Sequence, residues 1–417
     1  MKKIIINGGV KLSGIVDIDG SKNSIVALIP ASILCRDRVR IYNYPKISDV
    51  LVLCDILKEL NVSVLLTDNY IEIDSSNIKY TSLINEKMEK LRASYYFMGV
   101  LLALFNEVEI TYPGGCNFGP RPIDLHLEGF KALNCEVRGE NDILFIKSPK
   151  LIGNRIKLDF ASVGATINLM FASIFIEGYT IIENAAKEPE IVDIAHFLNK
   201  MGAKIEGAGS ESIKITGVKR LKGTEHTVIP DRIEAGTYLL IASAIGEEIE
   251  LRNVYPSHLH TVLKTLEVIG VNIIKEKYSL LVNKVDKIFP INITTAVYPG
   301  FPTDLQQIIT SLMTQAEGTS FITEKIYSSR FRNCEELIKM GANIIIKHPT
   351  AIINGPTPLK GTIVEASDLR GGASLILAGL IAENQTIINK AEHIFRGYGN
   401  IINKLTNIGA KLSVEES

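Results

Sequence analysis

A single period of about 70 residues runs through the whole chain, and it limits the possible folds more than any other feature. A helix-ending pattern, then Asn or Gly, then a strand recurs six times. The marker residues are Asn61, Asn134, Gly202, Gly270, Gly341 and Gly409, spaced 73, 68, 68, 71 and 68 residues apart. Asn and Gly tolerate the left-handed conformation that closes a helix. After each comes a short strand, a polar turn and a second strand, as in 344–347 followed by 351–353. A second marker keeps the same period: Lys22, Arg92, Ser162, Arg232, Asp304 and Arg370 are 70, 70, 70, 72 and 66 residues apart, and each opens an apolar helix. Several of these helices, at 25–34, 95–104, 167–176, 237–244 and 375–381, are oily nearly all round. Such helices belong in the middle of a domain. Six βα units therefore predict an α/β protein of two domains. Each would hold three units, with buried central helices ringed by sheets.

The helix openings also carry chemistry. Lys22, Asn23, Arg92, Ser162, Asp231, Arg232, Asp304 and Arg370 fall at the N-termini of the buried helices. Unpaired N–H groups and a partial positive charge make such ends anion sites. Each residue alone is an ordinary helix cap. All six openings together, with cations beside four, favour a ligand rich in phosphate or carboxylate.

One loop stands out. Val108, Ile110 and Tyr112 alternate as a strand, and Ile123, Leu127, Phe130 and Leu133 follow at helical spacing, with Pro122 placed to start the helix. Between them runs Pro113-Gly114-Gly115-Cys116-Asn117-Phe118-Gly119-Pro120-Arg121. Arg121 lies five residues beyond the thiol, and a nearby cation lowers a thiol pKa. The residues alone leave open both a reactive thiol and an idle surface cysteine.

Other chemistries find no foothold. A net charge of −1 gives no footprint for nucleic acid or an anionic membrane. The longest oily stretch, 95–105, is about half a transmembrane span. Five scattered cysteines with no Cys-x-x-Cys indicate neither a disulfide framework nor a zinc site, and point to a reducing, cytoplasmic setting. There is no Gly-Lys dipeptide for a Walker loop and no Gly-x-Gly-x-x-Gly for a dinucleotide. None of the seven histidines forms a metal-binding motif, and His258 with His260 reads as a solvated pair on a strand or turn. No metal and no cofactor are expected, so Arg, Lys and helix ends must handle substrate charge.

In combination, several segments resemble the UDP-N-acetylglucosamine 1-carboxyvinyltransferases, a family of enolpyruvyl transferases. They are Gly20-Ser21-Lys22-Asn23, the Cys116 loop with Arg121-Pro122-Ile123-Asp124-Leu125-His126, and Ser162-Val163-Gly164-Ala165-Thr166. The 183–190 segment, Pro230-Asp231-Arg232, Pro302-Thr303-Asp304, Thr323-Glu324, Arg330-Phe331, Asp368-Leu369-Arg370 and Arg396-Gly397-Tyr398 complete the set. The resemblance leaves no large segment outside it. It implies transfer of the enolpyruvyl group of phosphoenolpyruvate to the 3-hydroxyl of UDP-N-acetylglucosamine with release of phosphate, the first committed step of peptidoglycan synthesis. It also implies two lobes of three repeats, 21–229 and 1–20 with 230–417, joined near residues 20 and 230. No obligate protein partner is implied.

The resemblance further implies roles. Lys22, Arg121 and Arg396 clamp the donor phosphate, and Arg330 and Arg370 hold its carboxylate. Asp304 is the base for the sugar hydroxyl. Cys116 donates a proton to the methylene carbon and forms a thioether-type adduct with the donor. Asn23 steadies the tetrahedral intermediate. Arg92, Arg121, Pro122, Ile123, Asp124, Leu125, Ser162, Val163, Gly164 and Ile326 line the nucleotide sugar. Asp231 and Arg232 read as a structural pair at the junction. Phe160 replaces a lysine found in part of the family, Ser328-Ser329 stand where Glu-Asn is frequent, and Gly371-Gly372 loosen the helix start after Arg370. Three alternatives stand beside this reading: the sister transferase acting on shikimate 3-phosphate, a non-catalytic paralogue that senses nucleotide sugar, and an RNA-end cyclase. The cysteine loop argues against the first, the retained Lys22, Cys116, Asp304 and Arg396 against the second, and the absence of a basic surface against the third.

Overall fold

The computed structural model describes residues 2–113, 123–327 and 329–416. The chain divides into two compact units, one built from residues 20–113 and 123–229, the other from residues 2–19 and 230–416.

Six central helices carry the two cores. In the first unit they are α1 (Lys22–Ala31), α2 (Tyr96–Phe105) and α3 (Val163–Ala172). In the second they are α4 (Arg232–Ile245), α5 (Thr303–Met313) and α6 (Leu369–Ile381). After its first turn each is buried on nearly every side, as an all-round apolar helix must be. Close crossings need glycine. A Cβ on Gly99 would lie 2.4 Å from the Asn168 carbonyl oxygen, and one on Gly236 2.4 Å from Leu305 Cδ1.

Around these helices each unit places three sheets with one shared plan. A strand pairs in parallel with a second, which pairs antiparallel with a third, and that with a fourth. In the second unit, for example, Asn292–Thr294 runs parallel to Gly318–Thr323, followed by Thr350–Gly355 and Asn343–Lys347. The sheet of Glu107–Thr111, Ile143–Lys147 and Glu136–Glu140 has three strands, and a single parallel bridge from Leu83 to Ile110 takes the place of the missing one.

All six markers have the left-handed backbone the spacing predicts: φ is 61° at Asn61, 74° at Asn134, 107° at Gly202, 96° at Gly270, 99° at Gly341 and 104° at Gly409. Each follows an outer helix and hands the chain to a strand. The sixth unit departs from the expected strand pair. Lys411–Glu416 finds its antiparallel partner in Lys2–Asn7, with Ile4 opposite Val414, and Lys2–Asn7 also pairs with Gln385–Asn389. Ile4 and Ile6 face the core while Ile5 does not, so the period of two fixes the register.

Three local readings change. The alternation before the cysteine loop ends at Thr111, and Tyr112 turns outward, 40% exposed. Of the strand and turn left open for His258 and His260, His258 takes the turn, but the pair is not fully solvated: His258 is half-buried edge-on to Tyr255, and exposed His260 opens the next helix. Gly371 and Gly372 tighten α6 rather than loosen it. A Cβ on Gly372 would lie 2.4 Å from Ile394 Cγ1, and Asp368 caps the helix by accepting from the Arg370 and Gly371 N–H groups.

Candidate active site

In the second unit, Asp304 stands in the first turn of α5, where the missing hydrogen-bond partners of a helix start leave room for polar chemistry. Two buried guanidiniums close on its carboxylate. Arg330 Nη2 donates to Oδ1 at 2.8 Å and Arg370 Nη2 to Oδ2 at 3.5 Å. Burial by itself would raise this carboxyl. The charges of Arg370 and Arg330, with Arg232 beyond them, outweigh it and hold Asp304 well below the usual carboxylate range.

Each arginine is itself held. Arg330 Nη1 donates to the Thr303 hydroxyl at 2.9 Å, and that hydroxyl donates to Glu324 Oε2 at 2.9 Å. Glu324 is buried and also accepts from the Thr295 hydroxyl and from the Ile326 and Tyr327 N–H groups, which pins the turn that carries Ile326 and delivers Arg330. Arg370 Nη1 donates to the Tyr398 hydroxyl at 2.9 Å. The Thr237 hydroxyl gives its proton to the Ile233 carbonyl, so it accepts from Tyr398 at 2.8 Å. Arg396 is half-buried at the end of the 3-10 segment Ala391–Arg396. Asp231 caps α4, accepting from the Ile233 and Glu234 N–H groups, while the Arg232 guanidinium stacks over Tyr298.

The first unit holds the other candidates. Lys22 is the first residue of α1, whose start is capped by Ser21, and Lys22 Nζ meets the buried Asp49 carboxylate at 3.0 Å. Asn23 follows, half-buried. Arg92 opens a 3-10 turn that leads into α2, rather than the helix itself. Its Nη1 donates to the Pro113 carbonyl at 3.0 Å, and its guanidinium lies over Tyr95. Ser162 caps α3, accepting from Ala165 N, and Val163 and Gly164 form the first turn. Ile123 is buried at the start of the helix Asp124–Ala132, Asp124 is exposed and Leu125 is half-buried. Cys116, Arg121 and Pro122 lie outside the described residues. The other four cysteines are buried, and burial pushes the Cys35 thiol up to about 11 and those of Cys54, Cys135 and Cys334 up to about 12. Among the described residues no group of three His, Cys, Asp or Glu side chains could hold a metal ion, and no helix is long and apolar enough to cross a membrane.

Similarity to known proteins agrees with this arrangement of repeats. Residues 6–405 match the family model described as EPSP synthase (3-phosphoshikimate 1-carboxyvinyltransferase). The chain is 49% identical over 411 residues to UDP-N-acetylglucosamine 1-carboxyvinyltransferase 2 of Listeria monocytogenes, covering 99% of this chain and 97% of the relative. It is 49% identical over 413 residues to the protein of that name in Bacillus subtilis, covering 99% and 96%. The chain belongs to the enolpyruvyl transferase family, among the UDP-N-acetylglucosamine 1-carboxyvinyltransferases. Solved enolpyruvyl transferases share its fold. NikO from Streptomyces tendae superposes with a TM-score of 0.92 at 23% identity, covering 100% of this chain and 99% of that one. EPSP synthase from Acinetobacter baumannii superposes with a TM-score of 0.78 at 18% identity, covering 100% of both.

Several groups around these candidate residues escaped the sequence reading. Thr303, Tyr398 and Thr237 hold the two arginines, Glu324 fixes the turn before Arg330, and Asp49 meets Lys22. Thr303, Glu324 and Tyr398 lie in segments that carry the family resemblance, which gave them no role. Thr237 and Asp49 leave no signal in the local pattern.

Proposed function

We propose that this chain transfers the enolpyruvyl group of phosphoenolpyruvate to the 3-hydroxyl of UDP-N-acetylglucosamine, releasing phosphate, as the first committed step of peptidoglycan synthesis. The observation that carries the reading is 49% identity to transferases of that name across 99% of the chain. We further propose that the two units are the functional lobes, the chain passing from one to the other near residues 20 and 230.

In this reaction the sugar oxygen bonds to C2 of the donor while the methylene carbon gains a proton. Phosphate then leaves as that carbon gives up a proton and the double bond returns. Asp304 is the group proposed to take the hydroxyl proton, yet its carboxylate is held by Arg330 and Arg370 and is a weak base in that state. The donor carboxylate competes for the same two guanidiniums. Once it takes them, Asp304 loses its counter-charges, its pKa climbs, and it can accept a proton. Lys22, Arg121 and Arg396 are proposed to neutralise the donor phosphate, with Asn23 against the tetrahedral centre and Cys116 as proton donor to the methylene carbon. Arg92, the 121–125 segment, Ser162, Val163, Gly164 and Ile326 are proposed to line the nucleotide sugar, with its diphosphate at the N-terminus of α3.

Phosphate release from phosphoenolpyruvate, measured with UDP-N-acetylglucosamine and separately with shikimate 3-phosphate, tests the proposal. Turnover is expected with the nucleotide sugar alone. Turnover with shikimate 3-phosphate instead assigns the sister activity, and turnover with neither leaves a binding protein.

A further inference from the structure

We propose that His126 is a neutral hydrogen-bond donor to the diphosphate of the bound nucleotide sugar, its Nε2–H presented beside the first turn of α3 by Asn168. The inference rests on the functional reading above and adds a ligand-contacting residue to it.

The proton's position follows from a chain of hydrogen bonds. The Gly99 N–H donates to Asn168 Oδ1 at 2.8 Å, where the backbones of α2 and α3 pass too close for a Cβ on Gly99. With its oxygen committed, the amide of Asn168 offers only its Nδ2 hydrogens, and Nδ2 lies 2.9 Å from His126 Nδ1. Nδ1 must therefore accept, which leaves the proton on Nε2. Asn168 is fully buried and His126 is 4% exposed. Burial, and after it the charge of Arg92, push the His126 pKa down to about 3, so the ring is neutral under ordinary conditions.

Nε2 has no acceptor among the described residues, although the ring is more than nine-tenths buried. An N–H with no protein acceptor is available to an acceptor on a ligand. The edge bearing Nε2 abuts the start of α3. A Cβ on Gly164 would lie 2.9 Å from His126 Cε1, 3.0 Å from Nε2 and 2.9 Å from the Tyr95 hydroxyl. The Val163 and Gly164 N–H groups at that helix start also lack acceptors among the described residues. An anion seated there would meet two backbone donors, the helix dipole and the charge of Arg92. A neutral donor suits a place beside Arg92, because it adds a hydrogen bond without adding a second positive charge to repel the first.

The test uses the full chain with 15N-labelled histidine and UDP, UDP-N-acetylglucosamine and uridine as ligands. Long-range 1H–15N spectra should show His126 protonated on Nε2 in the free protein. UDP and UDP-N-acetylglucosamine should move that resonance, and uridine should leave it in place. His126→Asn keeps an acceptor for Asn168 but removes the outer donor, so it should weaken UDP binding and raise the nucleotide-sugar KM roughly ten- to hundredfold, leaving the phosphoenolpyruvate KM alone. His126→Gln, whose amide nitrogen reaches the Nε2 position, should recover most of the loss. A proton on Nδ1, an unmoved resonance with UDP bound, an equal response to uridine, or normal UDP affinity in His126→Asn each overturns the inference while leaving the functional reading intact. A wild-type chain that binds no UDP overturns both. The spectra of the unmodified protein decide the matter even if neither variant folds.

Discussion

Arg330 Nη2 donates to Asp304 Oδ1 at 2.8 Å, so the carboxylate proposed as the catalytic base rests on an arginine proposed to hold the donor. The pairing keeps Asp304 ionised and gives it two partners to lose when a competing carboxylate arrives.

Replacing Asp304 by Asn should cut kcat by roughly 10²–10⁴-fold, since an amide of similar size cannot accept the hydroxyl proton. Affinity for UDP-N-acetylglucosamine should be retained. Rapid-quench kinetics and calorimetry check the two halves, and a near-normal kcat removes Asp304 from the mechanism.

Tyr398→Phe should act on the donor alone. It removes the acceptor of Arg370 Nη1, and hydrogen bonds to charged groups contribute about 1.5–3 kcal/mol. The phosphoenolpyruvate KM should rise about tenfold or more while the nucleotide-sugar KM holds. Equal changes in both would show that the hydroxyl supports the fold and not the donor site.

Cys116 should alkylate ahead of Cys35, Cys54, Cys135 and Cys334, whose burial raises their thiol pKa and blocks access. UDP-N-acetylglucosamine should change the Cys116 rate. Cys116→Ala should lose turnover, whereas Cys116→Asp should keep part of it, because a carboxylic acid also donates a proton. Peptide mapping after limited alkylation reads the order, and uniform labelling indifferent to ligand removes the special role.

Stability should depend on pH through His126. Its pKa is depressed in the folded chain, to about 3, against the ordinary value of 6.5, so the unfolded chain binds more protons between these limits. The contribution is complete above about pH 6.5 and is lost as pH falls toward 3. Denaturant titrations of the wild type and His126→Gln should therefore converge as the solution is acidified. Parallel curves from pH 7 to 4 contradict a buried neutral ring.

The sequence by itself determined the six units, because the forces that mark them are local. A left-handed residue ends a helix wherever Asn or Gly supplies it cheaply, so Asn61, Asn134, Gly202, Gly270, Gly341 and Gly409 could be read directly, and all have positive φ. Apolar residues on every side of a helix force burial, so five of the six central helices could be read too; Thr303–Met313 buries Gln306, Gln307, Thr310 and Ser311 and lacks that signal. The closure of the sixth unit was different. Lys411–Glu416 pairs with Lys2–Asn7 at the far end of the chain, and no local pattern encodes such a partner. The charge clusters likewise belong to the tertiary structure. Asp304 meets Arg330 and Arg370 from 26 and 66 positions away, and His126 takes its tautomer from Asn168, 42 positions away. Family resemblance named Asp304, Arg330 and Arg370 as site residues, but not that the arginines rest on the aspartate. Where a proton sits and which charges face one another depend on distances of a few ångströms, and only packing of the helix starts sets those distances.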